Sequence, residues 1–192
     1  MNYLAHFHIA QQTKSSIPGA FLGDFVKGKA WKNYPLFEQQ GILLHRHIDS
    51  FIDQMVIKTG LQHCFRPKLR RYAGIALDVY FDHLLSQHWQ NFSILNRSDF
   101  IQHCYQQLAN FPLPAQAKLT AQRMQQYDWL RQYHHRASLG RTLEAISQRL
   151  RRPAPLVLMA HDLEQHATDI DAVCLDLYRQ VLVQANHYLQ ST

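Results

Sequence analysis

No stretch of this 192-residue chain alternates apolar and polar residues for more than a few positions. That absence removes the half-buried strand, whose signature is a period of two. Leucine occurs 25 times against 18 isoleucines and valines combined, and glutamine 21 times, while glycine and proline number only seven each. Long unbranched side chains lose little rotamer freedom in a helix, and scarce turn residues leave little material for an all-β fold. The expectation is an all-α protein, a helical bundle of a single domain spanning 1–192, with no linker, repeat or low-complexity tract. A chain of this size buries about 70% of its unfolded surface, so it needs neither a disulfide nor a structural zinc. The three cysteines, Cys64, Cys104 and Cys174, are far apart and form no CxxC.

Caps and prolines divide the chain into helices. Asn2 caps a helix over about 3–10. Ser16 with Pro18 opens one that Gly28 ends. Longer helices are expected over 36–57 and 67–92. Ser98-Asp99 caps one that runs to 110, broken by Pro112 and Pro114. Further helices are expected over 115–126, 129–136, 139–150 and 156–188, the last broken near Thr168. No run of 18 apolar residues could span a bilayer, and residues 1–12 lack the basic start of a secretory signal, so no membrane role and a cytoplasmic location are expected.

Acidic residues are unevenly placed. Residues 1–96 hold six, and four of these form the i,i+4 pairs Asp49/Asp53 and Asp78/Asp82. Aspartate is a poor helix former, and both pairs lie in apolar helical sequence, where a solvated face would use Glu and Lys. His45 and Asp49 also stand four apart, so both can converge on one point from a single helix face. Arg46 on the adjoining face could reach a phosphate oxygen. Asp78, Asp82 and His83 share an apolar helix in which a carboxylate is costly unless paired or metal-bound. His6 and His8 are two apart and face opposite ways, so at most one joins such a site. Asp24 is the one acid in an apolar turn, with Gly23 beside it allowing another backbone to come close. His161-Asp162 lacks companions and reads as polar packing, His134-His135 as solvated surface, and Trp89, Trp129, Tyr72 and Tyr80 as core aromatics. No GxSxG, P-loop or GxGxxG is present.

Twenty basic residues against fourteen acidic give a net charge of +6. Such a surface favours an anionic partner. Basic residues gather at Lys27, Lys29 and Lys32 and again at Arg66, Lys68, Arg70 and Arg71.

Four segments in order, MNYLAHFHIA (1–10), GDFVKG (23–28), GILLHRHID (41–49) and LDVYFDH (77–83), resemble the acyl carrier protein phosphodiesterase family. The resemblance is specific over about 1–95 and looser beyond. It implies hydrolysis of the phosphodiester joining 4′-phosphopantetheine to a serine of holo-acyl carrier protein. It also implies distant kinship with the all-helical HD phosphohydrolases and a divalent cation, usually manganese, with magnesium or others possible. Two departures stand out: the dipeptide here is Asp82-His83 rather than His-Asp, and His47 stands where the family more often has Arg.

The residues agree with that chemistry. Phosphodiester hydrolysis needs an acidified water and a cation to absorb phosphoryl charge, and a metal supplies both. Histidine with aspartates and no cysteine suits manganese or magnesium. Asp24, His45, Asp49 and Asp82 are expected to be catalytic. The metal pool is His6, Asp24, His45, Asp78, Asp82 and His83, with some orienting ligands rather than ligating. Lys27, Arg46, Arg70 and Arg71 are expected to bind the substrate, an acidic carrier protein, and no nucleic acid. The alternatives are an HD-type phosphohydrolase acting on a nucleotide or another phosphoester, and a non-enzymatic basic binding module. Only an enzyme would respond to a chelator.

Overall fold

The computed structural model describes residues 1–191 and is helical throughout, with no strand among them. The helices are α1 (Tyr3–Gln12), α2 (Ile17–Leu22), α3 (Leu36–Thr59), α4 (Ala73–Gln87), α5 (Arg97–Asn110), α6 (Ala115–Gln126), α7 (Trp129–Gln132), α8 (Ala137–Ser147), α9 (Val157–Gln165) and α10 (Ala167–Gln190). The all-α expectation is met, and among the described residues no helix is long and apolar enough to cross a membrane.

Local chemistry sets several ends as expected. The Asn2 side chain accepts from the Tyr3 N–H, and Ser16 Oγ accepts from the Gly19 N–H at 2.9 Å. α6 has the predicted limits. Other ends differ. α2 stops at Leu22 rather than running to Gly28, because the N–H groups of Phe25 and Val26 both fold back on the Leu22 carbonyl. Beyond it, the carbonyls of Val26 and Gly28 accept from Arg46 on α3, at 2.5 and 2.9 Å, and so leave the helical ladder. The expected 67–92 helix is split: Pro67–Tyr72 and Trp89–Asn91 are 3₁₀ turns on either side of α4. The buried Trp89 indole donates to the Leu95 carbonyl at 2.7 Å, which bends the chain after α4. α5 starts two or three residues early because Asn96, not Ser98-Asp99, is its cap, accepting from the Ser98 N–H at 2.8 Å. The segments expected over 129–136 and 139–150 are shortened to α7 and α8, and the final break falls at His166.

α1 and α4 form the centre. Leu4 through Ala10 are all buried, as are Val79 through Ser86. α2 and α3 cover one side and α8 and α10 the others, in one continuous apolar core. α2 and α3 touch backbone to backbone: a Cβ on Gly19 would stand 2.7 Å from the Glu38 carbonyl, and one on Gly41 2.8 Å from that of Ser16. This crossing brings the Asp24 turn against the middle of α3.

Candidate active site

The site forms where α1, the turn after α2, α3 and α4 meet. His6 comes from α1, Asp24 from the turn, His45 and Asp49 from one face of α3, and Asp78 from α4. The imidazoles of His6 and His45 stack with centroids 3.8 Å apart and planes 19° from parallel. His6 Nε2 lies 3.0 Å from one oxygen of Asp49 and His45 Nε2 3.1 Å from the other. The donor atoms of these three residues all lie within 4.8 Å of one another. Asp24 is half-exposed at the rim, 3.6 Å from His45 Nε2. The Met1 amino group sits 2.7 Å from Asp78 and 3.3 Å from Asp49.

Gly23 makes this possible, though not as the sequence suggested. What approaches is a side chain: a Cβ on Gly23 would stand 2.2 Å from His45 Cγ. The missing methyl is the space that the His45 ring fills.

The electrostatics divide the two histidines. Burial pushes His6 down to about 4, and its neighbour His45 adds to the fall, so His6 is neutral near pH 7. Burial also opposes charge on His45, but hydrogen bonds to Asp24 and Asp49 override it and raise the ring to about 9. Burial opposes ionisation of Asp49 as well, yet its hydrogen bonds to His45 and His6 hold it well below the carboxylate range. Asp24 is lowered in the same way, its His45 contact outweighing burial. Two stacked rings thus share one negative charge, and His45 Nδ1 is buried without a partner.

These residues fit a divalent cation. Two imidazole nitrogens and a carboxylate within 4.8 Å, flanked by two more carboxylates, form a mixed N/O set that metals of this class accept.

Other expected residues lie outside this triad. Asp82 is fully buried at the start of α1, its oxygens accepting from the N–H groups of Leu4 at 2.8 Å and Ala5 at 3.1 Å. It acts as an N-cap donated by another helix. Burial raises it to about 7, against the pull of those two N–H groups. His83 Nδ1 donates to the Tyr133 carbonyl at 2.8 Å and so ties α4 to the segment after α7. His8, as expected, faces away from His6: it donates to the Phe92 carbonyl and accepts from the Tyr178 hydroxyl. His47 stacks on Tyr188 and meets Gln184, both on α10.

Of the residues expected to bind substrate, Lys27 caps the Asp24 carbonyl at 2.7 Å and is exposed beside the site. Arg46 clamps the turn that carries Asp24 and Lys27, with both terminal nitrogens on backbone carbonyls. In the second basic cluster, Arg66 is engaged by Asp162 at 2.6 Å, Arg70 donates to the Phe65 carbonyl, and Arg71 lies over the Tyr72 ring. His161-Asp162 is therefore packing, as read, with the carboxylate given to Arg66. His134 is only partly solvated, since Nδ1 donates to the Ser86 carbonyl at 3.3 Å. The sequence assigns no role to the Met1 amino group, Tyr3 or Tyr133. Tyr3 had a signal, because it precedes His6 by three and shares its helix face.

Comparison with known proteins places the chain in a family. A family model described as acyl carrier protein phosphodiesterase matches residues 1–181. A protein of that name from Klebsiella pneumoniae (strain 342) is 33% identical over 187 residues, 95% of this chain and 96% of its own. Its namesakes from Enterobacter sp. (strain 638) and Yersinia pestis are each 32% identical over 190 residues, 97% of this chain and 98% of theirs. No solved structure matches. With a family model covering almost the whole chain and relatives alike nearly end to end, the chain belongs to the acyl carrier protein phosphodiesterase family.

Proposed function

We propose that this protein hydrolyses the phosphodiester between 4′-phosphopantetheine and the serine of holo-acyl carrier protein, with a divalent cation, manganese foremost, held by His6, His45 and Asp49. Water adds to phosphorus, the bond from phosphorus to the serine oxygen breaks, and that oxygen takes up a proton. The products are the apo carrier and 4′-phosphopantetheine. The observation that carries the reading is the convergence of two stacked imidazoles on one carboxylate in a member of this family.

When bound, the cation supplies Lewis acidity to the phosphoryl oxygens and acidifies a water. The chain's own groups do the remainder. Asp49 aligns both imidazoles by taking each Nε2 on a different oxygen. Burial keeps His6 neutral near pH 7, the charge state an imidazole ligand needs. Asp24, ionised and at the rim, is placed to accept a proton from the attacking water. Arg46 holds the turn on which Asp24 sits, and Lys27 on that turn faces the incoming anionic substrate. Lys29 and Lys32, both exposed, extend the positive surface toward an acidic carrier.

The test is direct. Holo carrier is incubated with the protein and manganese, and the carrier is weighed by mass spectrometry. Loss of the phosphopantetheine mass, abolished by a chelator and restored by manganese, is expected. An unchanged carrier mass would remove the reading.

A further inference from the structure

We propose that the cleft between the start of α1 and the α7–α8 segment is the binding site of the pantetheine arm of the substrate, a proposal that rests on the activity inferred above. The cleft encloses about 550 Å³, within the usual range for sites that hold small organic ligands. Tyr3, Trp129 and Tyr133 give it aromatic walls, Asn2 and Thr142 give it hydrogen-bonding groups, and Arg149 gives it a cation.

Its position is the first argument. Tyr3 lines the cleft, lies one turn before His6 on α1 and is close enough to Asp24 to feel its charge, so the cleft borders the cluster. The electrostatics place both tyrosines next to the site's acids. Burial raises the Tyr3 phenol, the Asp24 carboxylate beside it raises it further, and Arg149 opposes the rise. Tyr133 is raised well above its ordinary value by burial, with Asp82, Tyr3 and Asp24 nearby. Tyr133 is itself held by His83, whose Nδ1 grips its carbonyl. A second cleft, about 650 Å³ between α5 and α6, has no residue of α1 in its lining.

Chemical match is the second argument. A pantetheine arm carries a dimethyl-substituted carbon next to the phosphate, then two amides separated by short methylene runs. Aromatic faces nearest the cluster suit the branched carbon, and the side-chain amide and hydroxyl groups suit the peptide-like amides. Arg149, close enough to act on the Tyr3 phenol, lies at the phosphate end and complements the charge of the phosphopantetheine product. The carrier then stays on the Lys27 side of the site while the arm leaves it past Tyr3.

The experiment uses the full chain loaded with manganese and two substrates, holo carrier and bis(p-nitrophenyl) phosphate, which has no arm. Ala145→Trp fills the cleft from an exposed position on α8, and Arg149→Gln removes its cation without adding bulk. For each variant, kcat/KM with holo carrier divided by kcat/KM with the small diester is expected to fall by about tenfold or more. Calorimetric binding of free pantetheine is expected for the wild-type protein and lost in Ala145→Trp. An unchanged ratio with retained pantetheine binding overturns the proposal. If Ala145→Trp does not fold, Arg149→Gln decides alone. If the wild-type protein cleaves the small diester but not holo carrier, the activity reading fails. Pantetheine binding then still decides the cleft: binding lost in Ala145→Trp supports it as an arm site, and no binding by wild type overturns it.

Discussion

Replacing Gly23 with alanine isolates the packing that holds His45. The backbone there has φ −50° and ψ −37°, ordinary helical values, so the backbone itself accepts alanine. On that ground alone Gly23→Ala would stabilise the protein by about 0.5–1 kcal/mol. The new Cβ, however, would stand 2.2 Å from His45 Cγ, 2.4 Å from Cδ2 and 2.7 Å from Cβ. Because Cβ of His45 is itself too close, rotating the ring about χ2 cannot relieve the clash. The ring is 4% exposed and stacked on His6, so any shift of it disturbs that packing. Overpacking of this kind costs roughly 1–3 kcal/mol, and a clash with three atoms of one side chain lies at about 2–3, so the net loss is about 1–2.5 kcal/mol, a fall in Tm of roughly 2–10 °C for a chain of this size. Displacing the ring also breaks its contacts with Asp49 and Asp24, and losing the orientation of a ligand typically costs 10–100-fold in metal affinity or activity, of which about 10-fold or more is expected here. Thermal melting, manganese titration and turnover measure the three effects. Gly140→Ala is the control: its Cβ meets only Val157 Cγ2 at 3.7 Å and Ala160 Cβ at 3.9 Å, so it should raise Tm slightly and leave turnover alone. Should Gly23→Ala melt at or above the wild type and bind manganese equally well, the steric account of His45 is wrong.

Asp82→Ala leaves the buried N–H groups of Leu4 and Ala5 without acceptors, at a cost of about 1–3 kcal/mol each, and weakens the helix that carries His6. Urea unfolding should show the loss, and equal stability would refute the capping role. Hydrogen bonds from Arg66 lower the Asp162 carboxyl despite burial, so the stability it contributes is complete above about pH 4 and is lost as pH falls through its lower folded value. Asp162→Asn should flatten the acid limb of the stability–pH curve, and an unaltered limb would show that the pair contributes nothing. Added salt should raise KM for the carrier more than it lowers kcat, because Lys27, Lys29 and Lys32 are exposed and act by screened attraction. A KM indifferent to salt would assign carrier recognition to apolar contacts or to the pantetheine arm.

The sequence by itself determined what depends on spacing along one chain segment. Helical class followed from side-chain type, the Asn2 and Ser16 caps from local hydrogen-bonding chemistry, and the shared face of His45 and Asp49 from the 3.6-residue turn. The opposite orientation of His6 and His8 followed from the same geometry. Tertiary structure alone decided how segments are brought together. Asp78, Asp82 and His83 read as one constellation, yet the first meets the Met1 amino group, the second caps α1 and the third holds Tyr133. Arg66 reads as free positive charge, and its partner Asp162 lies 96 positions away. Nor could spacing reveal that the His45 ring fills the place of a missing methyl on Gly23. A helix face is a property of a few consecutive residues, whereas the occupant of the space opposite that face is set by packing among segments distant in the chain.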